Sequence, residues 1–213
     1  MTGRFIVFEG IDGSGTTTQA SRAYQALAAA DVPIHLTQEP SKGPVGCLIR
    51  QVLTGRLVTP GRTGLRGPSW STMGLLFAAD RLDHLESEVE PNLEDGIHVV
   101  SDRYLHSSLV YQSATSGEDG ALDWLATVNR FARRPDLVIH LDVDVRTAQQ
   151  RLADRKMIRE MYDDFEVQER LAQAYGALFE SMGDESVVTI DGNADEETVH
   201  RDCMESLKRI GLP

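Results

Sequence analysis

The apolar run Phe5-Ile6-Val7-Phe8 passes through Glu9 into Gly10-Ile11-Asp12-Gly13-Ser14-Gly15-Thr16-Thr17-Thr18, and this junction constrains the chain more than any other stretch. A short apolar run, a glycine-rich turn and helical spacing after it read as strand, loop and helix. The pattern G-x-x-x-x-G-K-[ST] in that setting cradles a phosphate chain. Backbone N–H groups point at the anion, a lysine reaches the outer phosphates, and a hydroxyl binds magnesium. Gly10, Gly15 and Thr17 fit, with the small Gly13 and Ser14 where the backbone turns and Thr18 opening the helix. Thr16 stands where the lysine is expected, so its positive charge must arrive from elsewhere or catalysis is lost. Asp12 is unusual beside phosphates and needs a partner of its own: a sugar hydroxyl, a hydrated magnesium, or its own turn.

Further strand-like runs at Ile34 to Thr37, Ile97 to Ser101, Leu137 to Leu141 and Val187 to Ile190 join the first at Arg4 to Phe8, separated by segments of helical spacing. Five strands alternating with helices predict a three-layer α/β/α domain over residues 1–213, built on a five-stranded parallel sheet. Ligands then belong at the carboxyl ends of the strands, where Glu9 to Thr18, Glu39-Pro40 and Asp102-Arg103 fall. Gly55 to Ser71, with Pro60, Gly61, Gly64, Gly67 and Pro68, reads as a loop between helices. Val167, Leu171, Tyr175, Leu178 and Phe179 form a helical core stripe.

A net charge of −12 excludes nucleic acid as the main partner, since binding many phosphates calls for a basic face. A small phosphorylated ligand needs only a few arginines, and Lys42, Lys156 and Lys208 are the chain's only lysines. No run is long enough to cross a membrane, and no leader precedes the first strand, so a cytoplasmic protein with Cys47 and Cys203 reduced is expected.

The segment from Ser101 to Gln112 is the second dense site. Arg103 at a strand's end can clamp phosphoryl oxygens, while Asp102 takes a proton or orients metal-bound water. A plain structural ion pair is the alternative. His106 reads as surface or packing. Ser108, Tyr111 and Gln112 would project from the next helix with polar groups able to read a base or sugar edge.

Taken together, Phe8-Glu9-Gly10 through Gly15, Gln38-Glu39-Pro40, Leu75 through Arg81, and Asp102-Arg103-Tyr104 through Ser107-Ser108 to Tyr111-Gln112 resemble the thymidylate kinase family, a resemblance covering nearly the whole chain. It implies a P-loop NTPase-type fold, usually a homodimer, and transfer of the γ-phosphoryl of ATP to dTMP with Mg2+. By resemblance, Phe77 is the platform for thymine and Arg81 reads a thymine carbonyl. Arg50 and Arg103 attend the acceptor phosphate, Ser108 and Gln112 lie along the base, Tyr111 lies against the deoxyribose, and Ser107 also belongs to the dTMP site. Asp12 falls near the sugar hydroxyl, Glu39 and Pro40 near the acceptor, and Thr17 and Asp102 at magnesium, partly through water.

The family also carries a short lid, matched here by residues 151–164. Arg151, Arg155 and Arg159 recur every four residues around Lys156, before Glu160, Asp163 and Asp164. Arg155 or Arg159, with Lys156 as a lesser candidate, is the expected substitute for the missing lysine, the alternative being a solvated basic helix face. Two other readings stand beside an active thymidylate kinase: another nucleoside or deoxynucleoside monophosphate kinase, and a nucleotide-binding protein impaired in catalysis by Thr16.

Overall fold

The structure is a computed structural model that describes residues 2–61, 64–154, 162, 164–183 and 186–213. In chain order the elements are β1 (Phe5–Glu9), α1 (Thr16–Ala29), β2 (Ile34–Gln38), α2 (Pro44–Leu53), β3 (Thr59–Gly61), β4 (Gly64–Arg66) and α3 (Trp70–His84). A π-helical turn, Leu85–Val89, leads into α4 (Glu90–Glu94), followed by β5 (His98–Asp102), α5 (Leu105–Ser116), α6 (Ala121–Val128) and β6 (Leu137–Asp142). The chain closes with α7 (Val145–Asp154), α8 (Phe165–Met182), β7 (Val187–Asp191) and α9 (Glu196–Lys208).

Five strands form one parallel sheet in the order β2-β5-β1-β6-β7, and each lies within one residue of its predicted bounds. The central strand β1 is buried on both faces, which is why it carries an unbroken apolar run rather than an alternation. Ile6 and Phe8 pack with Ala20, Ala23 and Leu27 of α1 and with Val199, Cys203 and Leu207 of α9. Phe5 and Val7 point the other way, toward Leu85, Val89, Leu93 and Tyr104. Each such buried side chain contributes on the order of 1.5–3 kcal/mol, so the two faces hold the layers on β1.

One stretch differs from expectation, and one helix is unusual. Residues read as a loop include an antiparallel hairpin, β3 with β4, pairing Thr59 with Arg66 and Gly61 with Gly64. The prolines and glycines of the stretch argued against strand, but both arms of a two-stranded ribbon are edge strands, where the missing N–H of Pro60 in mid-β3 is tolerated, and Gly61 and Gly64 sit at the turn end. In α3, polar Asp80, Arg81 and His84 are buried with Met73, Gly74 and Ala78, while Leu75 and Leu82 are exposed. Burial of the polar face follows from what it touches. Asp80 receives the backbone N–H of Ser41 at 2.7 Å and its hydroxyl at 2.6 Å, and Arg81 and His84 meet Glu39.

Candidate active site

The strand register brings the loops after β1, β2 and β5 to one edge, with Phe8 and Gln38 both opposite Asp102. The turn between β1 and α1 depends on glycine at two places. Gly13 has φ +84°, and a Cβ there would lie 2.3 Å from the carbonyl oxygen of Ala148; Gly15 has φ +99° and opens α1 with no side-chain cap. Uncapped N–H groups and the helix dipole favour an anion at that end. Beside it lies a cavity of about 380 Å³ lined by Ser14, Gly15, Thr18, Gln19, Arg151, Gly192, Ala194 and the first residues of α9. Arg151 spans it, donating to the carbonyl oxygens of Ser14 at 3.4 Å and Gly192 at 2.9 Å.

A second cavity, of about 210 Å³, opens on the other side of the loop. Asp12, Asp102 and Arg103 form its inner wall; Glu39, Pro40 and Phe77 a second; Ser107, Ser108, Tyr111 and Gln112 a third. Arg103 ties the inner wall to the phosphate loop. Its NH1 donates to the carbonyl oxygen of Gly10 at 2.8 Å and to Ser107 Oγ at 3.0 Å, and its NH2 donates to Asp12 Oδ1 at 2.6 Å. Burial disfavours its charge, but the carboxylates of Asp12 and Asp102 beside it more than offset that and hold its pKa well above the ordinary value. Arg103 also takes φ +70°, a conformation that costs a non-glycine residue about 1 kcal/mol or more and that these contacts offset. The ring of Tyr111 lies 5.3 Å from its guanidinium, and burial pushes the Tyr111 hydroxyl well up, keeping it protonated.

Thr17 Oγ1 donates to Asp102 Oδ2 at 2.5 Å, whereas Asp102 Oδ1 is buried with no hydrogen-bond partner. A hydroxyl and a carboxylate side by side at the end of the phosphate loop fit Mg2+, which prefers one or two protein oxygens with phosphate and water completing the shell. Among the described residues no group of three or more His, Cys, Asp or Glu converges as a self-sufficient metal site.

Two predicted residues do not line the second cavity. Arg81, 1% exposed, lies behind the wall, donating to Asn129 Oδ1 at 2.5 Å, Glu39 Oε2 at 2.7 Å and the Tyr104 carbonyl oxygen at 3.2 Å. Arg50 donates to the carbonyl oxygen of Pro40 at 2.7 Å and so braces that turn. Arg155, Lys156 and Arg159 lie outside the described residues, as do Glu160 and Asp163; of the lid stretch, Tyr162 and Asp164 are described beyond α7.

Several residues at the site were not singled out from sequence. Tyr162 lines the second cavity, packing edge-on against Tyr111 at 5.2 Å and accepting from Gln112 Nε2 at 3.4 Å. Gln168 donates to Asp12 Oδ2 at 3.1 Å and to the Tyr162 carbonyl oxygen at 2.9 Å, tying the start of α8 to the phosphate loop. Its signal was slight: a polar residue at the margin of the Val167, Leu171, Tyr175 stripe. His106 is buried, as packing predicts, with its ring 5.3 Å from that of Phe179.

Three comparisons bear on this geometry. The family model for thymidylate kinase matches residues 8–203. A probable thymidylate kinase of Thermococcus kodakarensis is 39% identical over 210 residues, spanning 97% of this chain and 98% of its own. One from Pyrococcus horikoshii is 38% identical over the full length of both. Among solved structures, thymidylate kinase from Candida albicans superposes with a TM-score of 0.82 at 25% identity, covering 98% of this chain and 92% of that one.

Proposed function

The chain belongs to the thymidylate kinase family of ATP-using phosphotransferases, and on that premise we propose how its own residues carry the γ-phosphoryl group of ATP to dTMP, giving dTDP and ADP. An oxygen of the dTMP phosphate forms the new bond to the γ-phosphorus as the bond to the ADP oxygen breaks. The observation that carries this reading is Arg103, whose guanidinium reaches Gly10 and Asp12 of the phosphate loop from the wall of the second cavity.

ATP lies along the loop, its phosphates on the N–H groups of Gly13 to Thr18 and its base in the cavity bounded by Arg151 and Gly192. dTMP occupies the second cavity, with thymine on Phe77 beside Ser108 and Gln112, and the deoxyribose between Tyr111 and the Asp12–Gln168 pair. Arg81 shapes the base end from behind Glu39 and Tyr104. Thr17 and Asp102 would hold Mg2+, which when bound neutralises charge on the phosphoryl oxygens. Arg103 holds the acceptor and transferring oxygens in line, the kind of positioning on which phosphoryl transfer mostly depends. Thr16 cannot supply the usual cation, and Arg155 or Arg159 of the lid is proposed to do so.

Exposed Leu75 and Leu82 stand two helical turns apart on α3, at 52% and 41% exposure, and suit a homodimer interface. Sedimentation of a Leu75→Glu/Leu82→Glu variant tests this: the wild type should run as a dimer and the variant as a monomer. An unchanged dimer would remove α3 from the interface.

The function is tested by coupled ADP release with ATP and dTMP, dUMP, dCMP, dGMP or thymidine. dTMP should give the highest kcat/KM. Preference for another acceptor would make the chain a different nucleotide kinase, and binding of ATP and dTMP without turnover would favour the impaired reading that Thr16 raises.

A further inference from the structure

Glu9 has no part in the reading above, yet it is fully buried at the joint between the two loops that carry donor and acceptor. Its Oε1 accepts the backbone N–H groups of Tyr104 at 3.0 Å and Ser107 at 3.1 Å. Its Oε2 accepts Ser107 Oγ at 2.5 Å and the Tyr175 hydroxyl at 3.0 Å. A carboxylate offers about four acceptor directions, and all are used here. The first turn of α5 has no side-chain cap from its own N-cap residue Tyr104, so a residue from a different strand performs the capping.

The contact that matters for chemistry is Ser107 Oγ. It spends its proton on Glu9 and therefore presents lone pairs to NH1 of Arg103, at 3.0 Å. Glu9 immediately precedes Gly10, whose carbonyl oxygen takes the same NH1. One carboxylate thus fixes the phosphate loop through the chain and the arginine through Ser107. We infer that Glu9 is a positioning residue for phosphoryl transfer, holding Arg103 through Ser107 at a set distance from the phosphate loop.

The inference rests on the role given to Arg103 under the proposed function. A carboxylate kept only to stabilise α5 would need the two backbone bonds; the Ser107 Oγ bond orients a donor-to-acceptor bridge instead. Glutamine at this position keeps the shape but turns an –NH2 toward donors, so at least one of the Oε2 contacts is lost. Displacement of a reacting group by about 1 Å can cost on the order of a hundredfold in rate.

Glu9→Gln should therefore lower kcat with dTMP by roughly tenfold to a hundredfold while the KM for ATP stays within about twofold. The deciding measurement is a double-mutant cycle with Arg103→Ala. If Glu9 works through Arg103, Glu9→Gln has almost no further effect on kcat once Arg103 is gone. Equal fractional losses in both backgrounds, or a wild-type kcat for Glu9→Gln, overturn the inference. Should Glu9→Gln fail to fold, Ser107→Ala leaves the carboxylate and both backbone bonds in place, and the same cycle applies with the same criterion. A wild type inactive on dTMP overturns the functional reading and this inference with it; an active wild type with an additive cycle overturns this inference alone.

Discussion

Replacing Glu39 by glutamine should destabilise the protein by about 2–3 kcal/mol, and the structure says why the figure is neither smaller nor larger. Arg81 and Glu39 pair at 2.7 Å with side chains 1% and 2% exposed, so the substitution leaves a guanidinium in the interior without its counter-charge. Stranding one member of a buried pair generally costs about 3–5 kcal/mol. Here Asn129 Oδ1, the Tyr104 carbonyl oxygen and the Tyr104 ring, 5.1 Å from the guanidinium, still serve Arg81, and the glutamine carbonyl can accept one bond. These remaining partners place the loss at or below the lower end of that range. For a chain of this length about 2–4 °C of Tm accompanies each kcal/mol. Urea unfolding followed through Trp70 and Trp124, whose rings meet edge-on at 5.3 Å, measures the change directly. The double variant Glu39→Gln/Arg81→Met removes the stranded charge and should recover part of the stability. A loss under about 1 kcal/mol for the single variant, or a double variant less stable than it, would refute the argument from the unpaired charge.

Acid should expose the Glu9 network. Burial pushes the Glu9 carboxyl up, but His106, whose Nδ1 lies 3.6 Å away, the hydrogen bonds from Ser107 and the charge of Arg103 outweigh it, and its pKa falls from 4.5 to about 2. A depressed carboxyl contributes stability that is complete above its unfolded pKa and lost as pH falls toward the folded one, so the loss runs from about pH 4.5 to 2 and amounts to roughly 3 kcal/mol. Glu9→Gln should flatten the stability curve in that window; curves of equal slope there would contradict the assignment. Thr16→Lys separates complete from partial compensation for the missing cation. A restored charge-assisted contact is worth about 1.5–3 kcal/mol, or roughly tenfold to a hundredfold and more in turnover if nothing else supplies it. Arg155→Ala and Arg159→Ala should each be compared for kcat and ATP affinity, and unchanged turnover in both removes the lid from the account.

The parallel sheet was legible because its signal is local: each strand is a compact apolar run, and the glycines of the phosphate loop punctuate the first. Of the cavity walls, Asp12, Arg103 and Ser108 to Gln112 were legible because two compact motifs deliver them, whereas Phe77 was named only through the family resemblance. What stayed hidden joins residues far apart in sequence. Gln168 meets Asp12 across 156 positions, Tyr175 meets Glu9 across 166, and Asn129 meets Arg81 across 48. The burial of polar residues on α3 was hidden for a different reason. Periodicity ranks a face by apolarity, but Asp80, Arg81 and His84 are buried because polar partners from the β2–α2 connection and the end of α6 satisfy them. Leucines at 75 and 82 were left on the outside, where only a second surface could cover them.

Loss of the loop lysine also changes how positive charge is held at this site. A lysine in the loop travels with the backbone that binds the phosphates. Both described arginines beside the loop come instead from other segments, Arg103 from the end of β5 and Arg151 from α7, and each is tethered to the loop through a carbonyl oxygen, of Gly10 and of Ser14. Carbonyl tethers orient a guanidinium without neutralising it, so its charge remains available to phosphate. The geometry of charge then depends on the packing of β5 against β1 and of α7 against the phosphate loop, and not on one flexible side chain. Arg103 adds the carboxylate of Asp12, which draws off part of that charge, and Gln168 offsets this by donating to the other oxygen of the same carboxylate. On this reasoning Gln168→Ala would leave Asp12 more dependent on Arg103 and weaken both acceptor binding and turnover, whereas a change confined to dTMP KM would assign Gln168 to the sugar alone.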